Sequence, residues 1–168
     1  MRKRPRVYLS GGMEYAKDEG ADWRGMMQSW ILEELGHTVF NPNVESDKFL
    51  KRKLPHEDLR RLKFSDINRY QTILRSIVRL DSEEIALRSD YVICYWNQSA
   101  QRGAGTKGEL TMARFFKKPV YMVTRMKSEK IPGWILGCTL KIFGSFDELK
   151  SYLKRTRGRP RIQPAVSR

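Results

Sequence analysis

Five short runs of mainly apolar residues, at 7–10, 37–40, 91–96, 119–124 and 139–143, are separated by stretches long enough to form a helix. A strand returning parallel to its predecessor needs a crossover of helical size, so the alternation predicts a central, mostly parallel five-stranded sheet covered on both faces. Gly11-Gly12 and a polar loop to Gly20 follow the first run. From Asp22 onward, Trp23, Met26, Met27, Trp30 and Ile31 recur at helical spacing until Gly36. Asn41-Pro42 closes the second run, because proline interrupts a strand ladder. Residues 43–80 are polar and charged and predict a loop followed by one or two helices ending near Leu80. A short helix is expected over 82–88, and a glycine-rich loop over 102–108 leads into a helix through Phe116. Ser145 with Glu148 forms a capping pair that opens a last helix through Leu153.

A chain of 168 residues with 40% hydrophobic content suits one domain, placed at 7–153 between a basic arm at 1–6 and a basic tail at 154–168. The formal charge of +14 resembles a nucleic-acid signature, but those two ends hold ten of the 33 Lys and Arg and no acid. Residues 7–153 then carry 23 basic against 19 acidic groups, a net of +4. The cluster Lys48, Lys51, Arg52, Lys53, Arg60, Arg61 and Lys63 reads as a solvated surface. No apolar run approaches the roughly 20 residues of a membrane span, so the expected location is the cytoplasm. Cys94 and Cys138 form no CxxC pair, and His37 and His56 are the only histidines, so two free core thiols and no metal site are expected.

In parallel sheets ligands sit beyond the carboxyl ends of the strands, which directs attention to residues 10–13 and 97–108. Three side chains near these places could carry chemistry: Tyr8, Asp81 and Glu109. Thr106-Lys107-Gly108-Glu109 fits a capping box, and Asp81 could be the N-cap of the short helix after it, so structural roles stay open for both acids. A position at a helix start would also favour an ionised Glu109, as a nucleophile requires. Gly103, Gly105 and Gly108 leave room for a sugar near the backbone. The loop RGAGTKGE matches neither GxxxxGK[ST] nor GxGxxG, which argues against a nucleotide triphosphatase.

The motifs YLSGGM, FNP, the Asp81 to Ile85 element before SDYVI, GTKGELTMA and KPVYMV stand in an order that resembles the nucleoside 2-deoxyribosyltransferase family, including relatives that hydrolyse nucleoside monophosphates. The likeness covers about 7–123. It implies a flavodoxin-like or Rossmann-like three-layer α/β sandwich and an enzyme acting without cofactor on the N-glycosidic bond of a nucleoside or its 5′-monophosphate. Glu109 matches the nucleophilic glutamate, Tyr8 the tyrosine that orients it, and Asp81 the aspartate tied to the leaving base and proton transfer. Asp90 is read as positioning the loop and strand rather than as performing chemistry. Gly103 stands where the transferases often carry another aspartate. Ser10, Ser99 and Arg102 are of the chemical type to meet a 5′-phosphate; Gly11, Gly12, Met13, Asn41, Trp96 and Gly105 complete the candidate substrate-binding set. Trp96 could stack on a base or pack in the core. The implied partners are a nucleoside or nucleotide, a free nucleobase and further copies of the chain. Two other readings remain: a nucleotide sensor that uses the same pocket without chemistry, and a nucleic-acid binder that uses the basic ends.

Overall fold

The structure, a computed structural model, describes residues 4–158. Its five strands are β1 (Arg6–Gly11), β2 (Thr38–Phe40), β3 (Tyr91–Tyr95), β4 (Val120–Val123) and β5 (Lys141–Phe143). All neighbours pair in parallel in the order β2-β1-β3-β4-β5. The chain steps outward from β1 to β2 and then crosses back to β3, so the strand order reverses between β1 and β3. Such a reversal opens a crevice at the carboxyl ends of the two strands.

Side chains alternate across the sheet, and both faces are buried, which is why the strands read as unbroken apolar runs. Tyr8, Val92, Cys94, Val120 and Met122 enter one core, closed by Leu110 and Ala113 of α6 (Gly105–Phe115) and by Ile135 and Cys138 of α7 (Gly133–Cys138). Val7, Leu9, Tyr91, Ile93, Tyr121 and Val123 enter the other. That second core is closed by Met27 of α1 (Ala21–Trp30), by Ile31 and Leu35 in the π-helical turn extending it, and by Leu149 and Leu153 of α8 (Phe146–Arg157). Each fully enclosed aliphatic side chain contributes about 1.5–3 kcal/mol, so these two layers fix the sandwich.

The segment between β2 and β3 differs from its sequence reading. It contains three helices, α2 (Pro42–Lys53), α3 (Leu59–Ser65) and α4 (Ile67–Glu83), with a small core of Leu54, Leu62 and Ile73. Helix begins at once because Asn41 caps α2 by accepting from Asn43 N at 3.2 Å, while Pro42 occupies the first turn, where its missing N–H costs nothing. Asp58 and Asp66 cap α3 and α4 in the same way. No separate helix opens at Ser82: α4 runs through to Glu83 and continues in a π-helical turn to Arg88. The last helix also continues past Leu153 to Arg157, inside the expected tail. The remainder of that tail and the first three residues lie outside the described residues.

Gly20 caps α1 with φ 73°, in the left-handed region, and a Cβ there would stand 2.4 Å from Arg24 Nη1 and 2.9 Å from Gly12 O. Gly25 lies inside α1, and a Cβ there meets nothing within 4 Å. Gly20→Ala is expected to cost at least about 1 kcal/mol, whereas Gly25→Ala gains up to about 1 kcal/mol of helix propensity. Urea unfolding of the two variants beside the parent reads both signs, and a stabilised Gly20→Ala would contradict the geometry.

Candidate active site

Tyr8 and Ser10 stand two apart on β1, so both side chains leave the same face of the sheet. They converge on one carboxylate of α6: Tyr8 Oη donates to Glu109 Oε1 at 2.9 Å, and Ser10 Oγ donates to Oε2 at 2.5 Å. Tyr8 is itself fixed by complete burial and by its ring stacking on Phe40, with centroids 5.3 Å apart. Glu109 keeps part of its surface open.

The capping role expected for Glu109 is not observed. Ala104 is the N-cap of α6 and makes no side-chain cap bond, Thr106 lies inside the helix, and Glu109 is its fifth residue. The helix-start argument for an ionised carboxylate fails with it, since the effect fades beyond the first turn. Burial dominates and raises the Glu109 pKa above the ordinary range, while Ser10, Tyr8 and the Arg24 cation pull it down.

Asp81 is not an N-cap either. It sits within α4, two residues before its end, and one buried oxygen, Oδ1, has no protein partner. Burial and then the charge of Glu109 push its carboxyl up to about 7, against a lowering hydrogen bond with Tyr8. Tyr8 therefore stands between two acids, and its own hydroxyl is driven well above its usual range by burial and by both of them. Two carboxyl groups interacting near one tyrosine titrate as a coupled pair, the charge on one raising the other.

The other expected site residues are distributed around this pair. Gly11 ends β1 and Gly12 follows it, and a Cβ on Gly12 would lie 2.5 Å from Ser99 Oγ, so the loop after β1 lies directly on α5 (Gln98–Arg102). Ser99 Oγ is buried without a partner there. Met13 opens the turn that follows, its carbonyl accepting from Ala16 N. Arg102 ends α5 and stacks 4.4 Å over the Tyr15 ring at the rim. Gly103 is the C-cap of α5 and Gly105 begins α6. Ser10 faces Glu109, whereas its chemical type had suggested a phosphate contact. Asn41 is occupied as the α2 cap and through Nδ2 with Gln28 Oε1 at 2.9 Å. Trp96 is completely enclosed in the first core, so its ring offers no face to a base. Asp90 accepts from the Arg6 backbone N–H at 2.7 Å, at the opposite end of the sheet.

Arg24 was missed in the sequence. The buried positions of α1 and its extension are 24, 27, 31 and 35, a helical stripe with an arginine at its first place, and that misfit is a legible signal. Among the described residues no group of three His, Cys, Asp or Glu side chains is placed to hold a metal.

No protein-family model and no curated protein sequence matches this chain. Solved structures do. A 2-deoxyribosyltransferase of Bacillus psychrosaccharolyticus aligns with a TM-score of 0.57 at 18% identity, over 88% of this chain and 91% of its own. The CMP N-glycosidase BcmB of Clostridium botulinum aligns at 0.53 and 17%, over 90% and 98%. A 2-deoxyribosyltransferase of Leishmania mexicana gives 0.54 and 13%, again over 90% and 98%. At these identities the likeness speaks for architecture, and the chain has the fold of the 2-deoxyribosyltransferases.

Proposed function

We propose that this chain cleaves or exchanges the N-glycosidic bond of a nucleoside, a deoxynucleoside or the corresponding 5′-monophosphate, with Glu109 as nucleophile. The observation that carries this reading is the carboxylate of Glu109 held through both oxygens by Tyr8 and Ser10, with the Asp81 carboxyl beside it raised by burial to about 7. The three neighbours named above, two of them 2-deoxyribosyltransferases and one a CMP N-glycosidase, support the bond class.

In this reading Glu109 attacks C1′ of the sugar and forms a glycosyl-enzyme intermediate, and Asp81 gives its proton to the departing base. Water releases the sugar by hydrolysis; a second base completes transfer. Ser99 and Arg102, beside the loop after β1, are the groups available to a 5′-phosphate. The two buried free thiols suit a reducing, cytoplasmic setting, and among the described residues no helix is long and apolar enough to cross a membrane. We also propose a homo-oligomer. Phe115 at 79% exposure and Trp134 at 71% form, with Met112 and Phe116, an apolar face on the outer side of α6. A face of this kind calls for a cover, and a second copy would bring it beside the nucleophile's helix.

Incubation with a panel of nucleosides, deoxynucleosides and their monophosphates, with and without an acceptor base, followed by separation of products, tests the activity. Release of no base from any of them would refute it. Glu109→Gln is expected to stay folded and to lose on the order of a thousandfold or more in turnover, and full activity in that folded variant would remove the nucleophile assignment.

The pH profile carries a second expectation. Turnover rises as Glu109 loses its proton and falls as Asp81 loses its own above about pH 7, giving a bell. Asp81→Asn abolishes the alkaline limb and lowers the maximum, whereas an unchanged limb would assign it to another group. Sizing of the parent against Phe115→Glu is expected to show a dimer or larger species reduced to monomer by the charge. Parent and variant both running as monomers would dispose of the oligomer.

A further inference from the structure

Arg24 is 1% exposed, and among the described residues no carboxylate lies within ion-pair distance of it. Four of its five N–H donors go to backbone carbonyls. Nε donates to Leu9 O at 3.1 Å, Nη2 to Gly11 O at 2.7 Å, and Nη1 to Glu19 O at 3.0 Å and Gly20 O at 3.2 Å. Its guanidinium also stacks 4.8 Å over the Trp23 ring.

These bonds have a cause in the sheet. Thr38 N donates to Pro5 O, so alternate carbonyls of β1, including those of Leu9 and Gly11, point toward β2. β2 ends at Phe40, opposite Tyr8, and by the spacing of the Thr38 N to Pro5 O bond the next donor for the Leu9 carbonyl would be residue 42, a proline with no N–H. Buried carbonyls left there would cost about 1–3 kcal/mol each. Arg24 supplies the missing donors from the far side of the sheet and ties the same guanidinium to the loop that closes at Gly20. Gly11 and Gly20 leave the room it needs: a Cβ on Gly20 would strike Nη1, and one on Gly11 would lie 3.4 Å from Nη2.

Neutral donors would satisfy those carbonyls, yet an obligatory cation is buried instead, which is costly unless an anion answers it. Leu9 and Gly11, whose carbonyls Arg24 holds, flank Ser10, and the Ser10 hydroxyl bonds the Glu109 carboxylate; Glu109 is also the acid whose charge acts most on Arg24. We propose that Arg24 is a positioning residue of the site: its cation holds the Glu109 carboxylate charged, while its guanidinium fixes the loop after β1. This rests on the role of Glu109 proposed above. The groups facing Glu109 are Tyr8 and Ser10 on β1, Asp81 on α4, Cys94 on β3 and Arg24 on α1. Arg24 is the cation among them. Removing it leaves burial and Asp81 to favour the protonated acid, so the titration of Glu109 moves to higher pH.

The test follows the Glu109 carboxyl directly, by 13C NMR of glutamate-labelled full-length protein, with the signal assigned from Glu109→Gln. In Arg24→Gln the midpoint is expected to rise by on the order of one pH unit, with kcat/KM falling about tenfold on the acid limb. Arg24→Lys keeps the cation and keeps the midpoint near that of the parent. A purely structural Arg24 would lower Tm and leave the midpoint in place in Arg24→Gln, and that result overturns the proposal. If Arg24→Gln does not fold, the reciprocal measurement decides: in Glu109→Gln the Arg24 Nε–H resonance shifts and exchanges faster, and an unchanged resonance overturns the coupling. Neither NMR reading requires turnover, so absence of glycosidic activity would defeat the functional reading and leave this one independently decided.

Discussion

Two hydroxyl groups on alternate residues of one buried strand meet both oxygens of a carboxylate on one helix, and the candidate site depends on that junction. The two-residue period of β1 puts Tyr8 and Ser10 on the same face, and their different lengths let them reach one group. Glu109 can meet them because its helical neighbours Leu110 and Ala113 are fully buried in the core beneath, which holds α6 across β1. Packing and chemistry are therefore not separable here: the apolar contacts of α6 aim the acid.

The electrostatics follow from the same placement. Burial of Glu109 and Asp81 near one another raises both, and the two hydroxyl donors and the Arg24 cation oppose the rise at Glu109. Asp81, with one unpartnered oxygen, is raised to about 7 by burial and by the Glu109 charge, against the Tyr8 hydrogen bond and the Arg24 cation. Two acids in different surroundings differ in how firmly each holds its proton, and the surroundings of this pair are set by the placement of α4 and α6 against β1.

Much of this architecture was legible in the chain. The five apolar runs, the crossovers and the carboxyl-end location of Tyr8, Ser10 and the glycine loops could be read because strand and helix periods differ. Less legible were the helices between β2 and β3, where Asn41-Pro42 looks like an ending and is a helix start. Asp81 and Glu109 occupied plausible capping patterns, and only the real helix boundaries removed those readings. The partner of Ser10 could not be read from spacing, since a residue 99 positions away supplies it. Trp96 follows a strand at the carboxyl end of the sheet, yet the first core encloses it entirely, and sequence position cannot tell a rim aromatic from a buried one.

The loop after β1 is held unequally on its two sides. Toward α5 it is in backbone contact at Gly12, too close to admit even one carbon. Toward α3 it is joined by exposed charge pairs, Lys63 with Glu14 and Arg60 with Glu19. Such pairs contribute about 0–1 kcal/mol and weaken as ions are added. The α3 side of the loop is then the more weakly tied of the two, and ionic strength acts on that side alone.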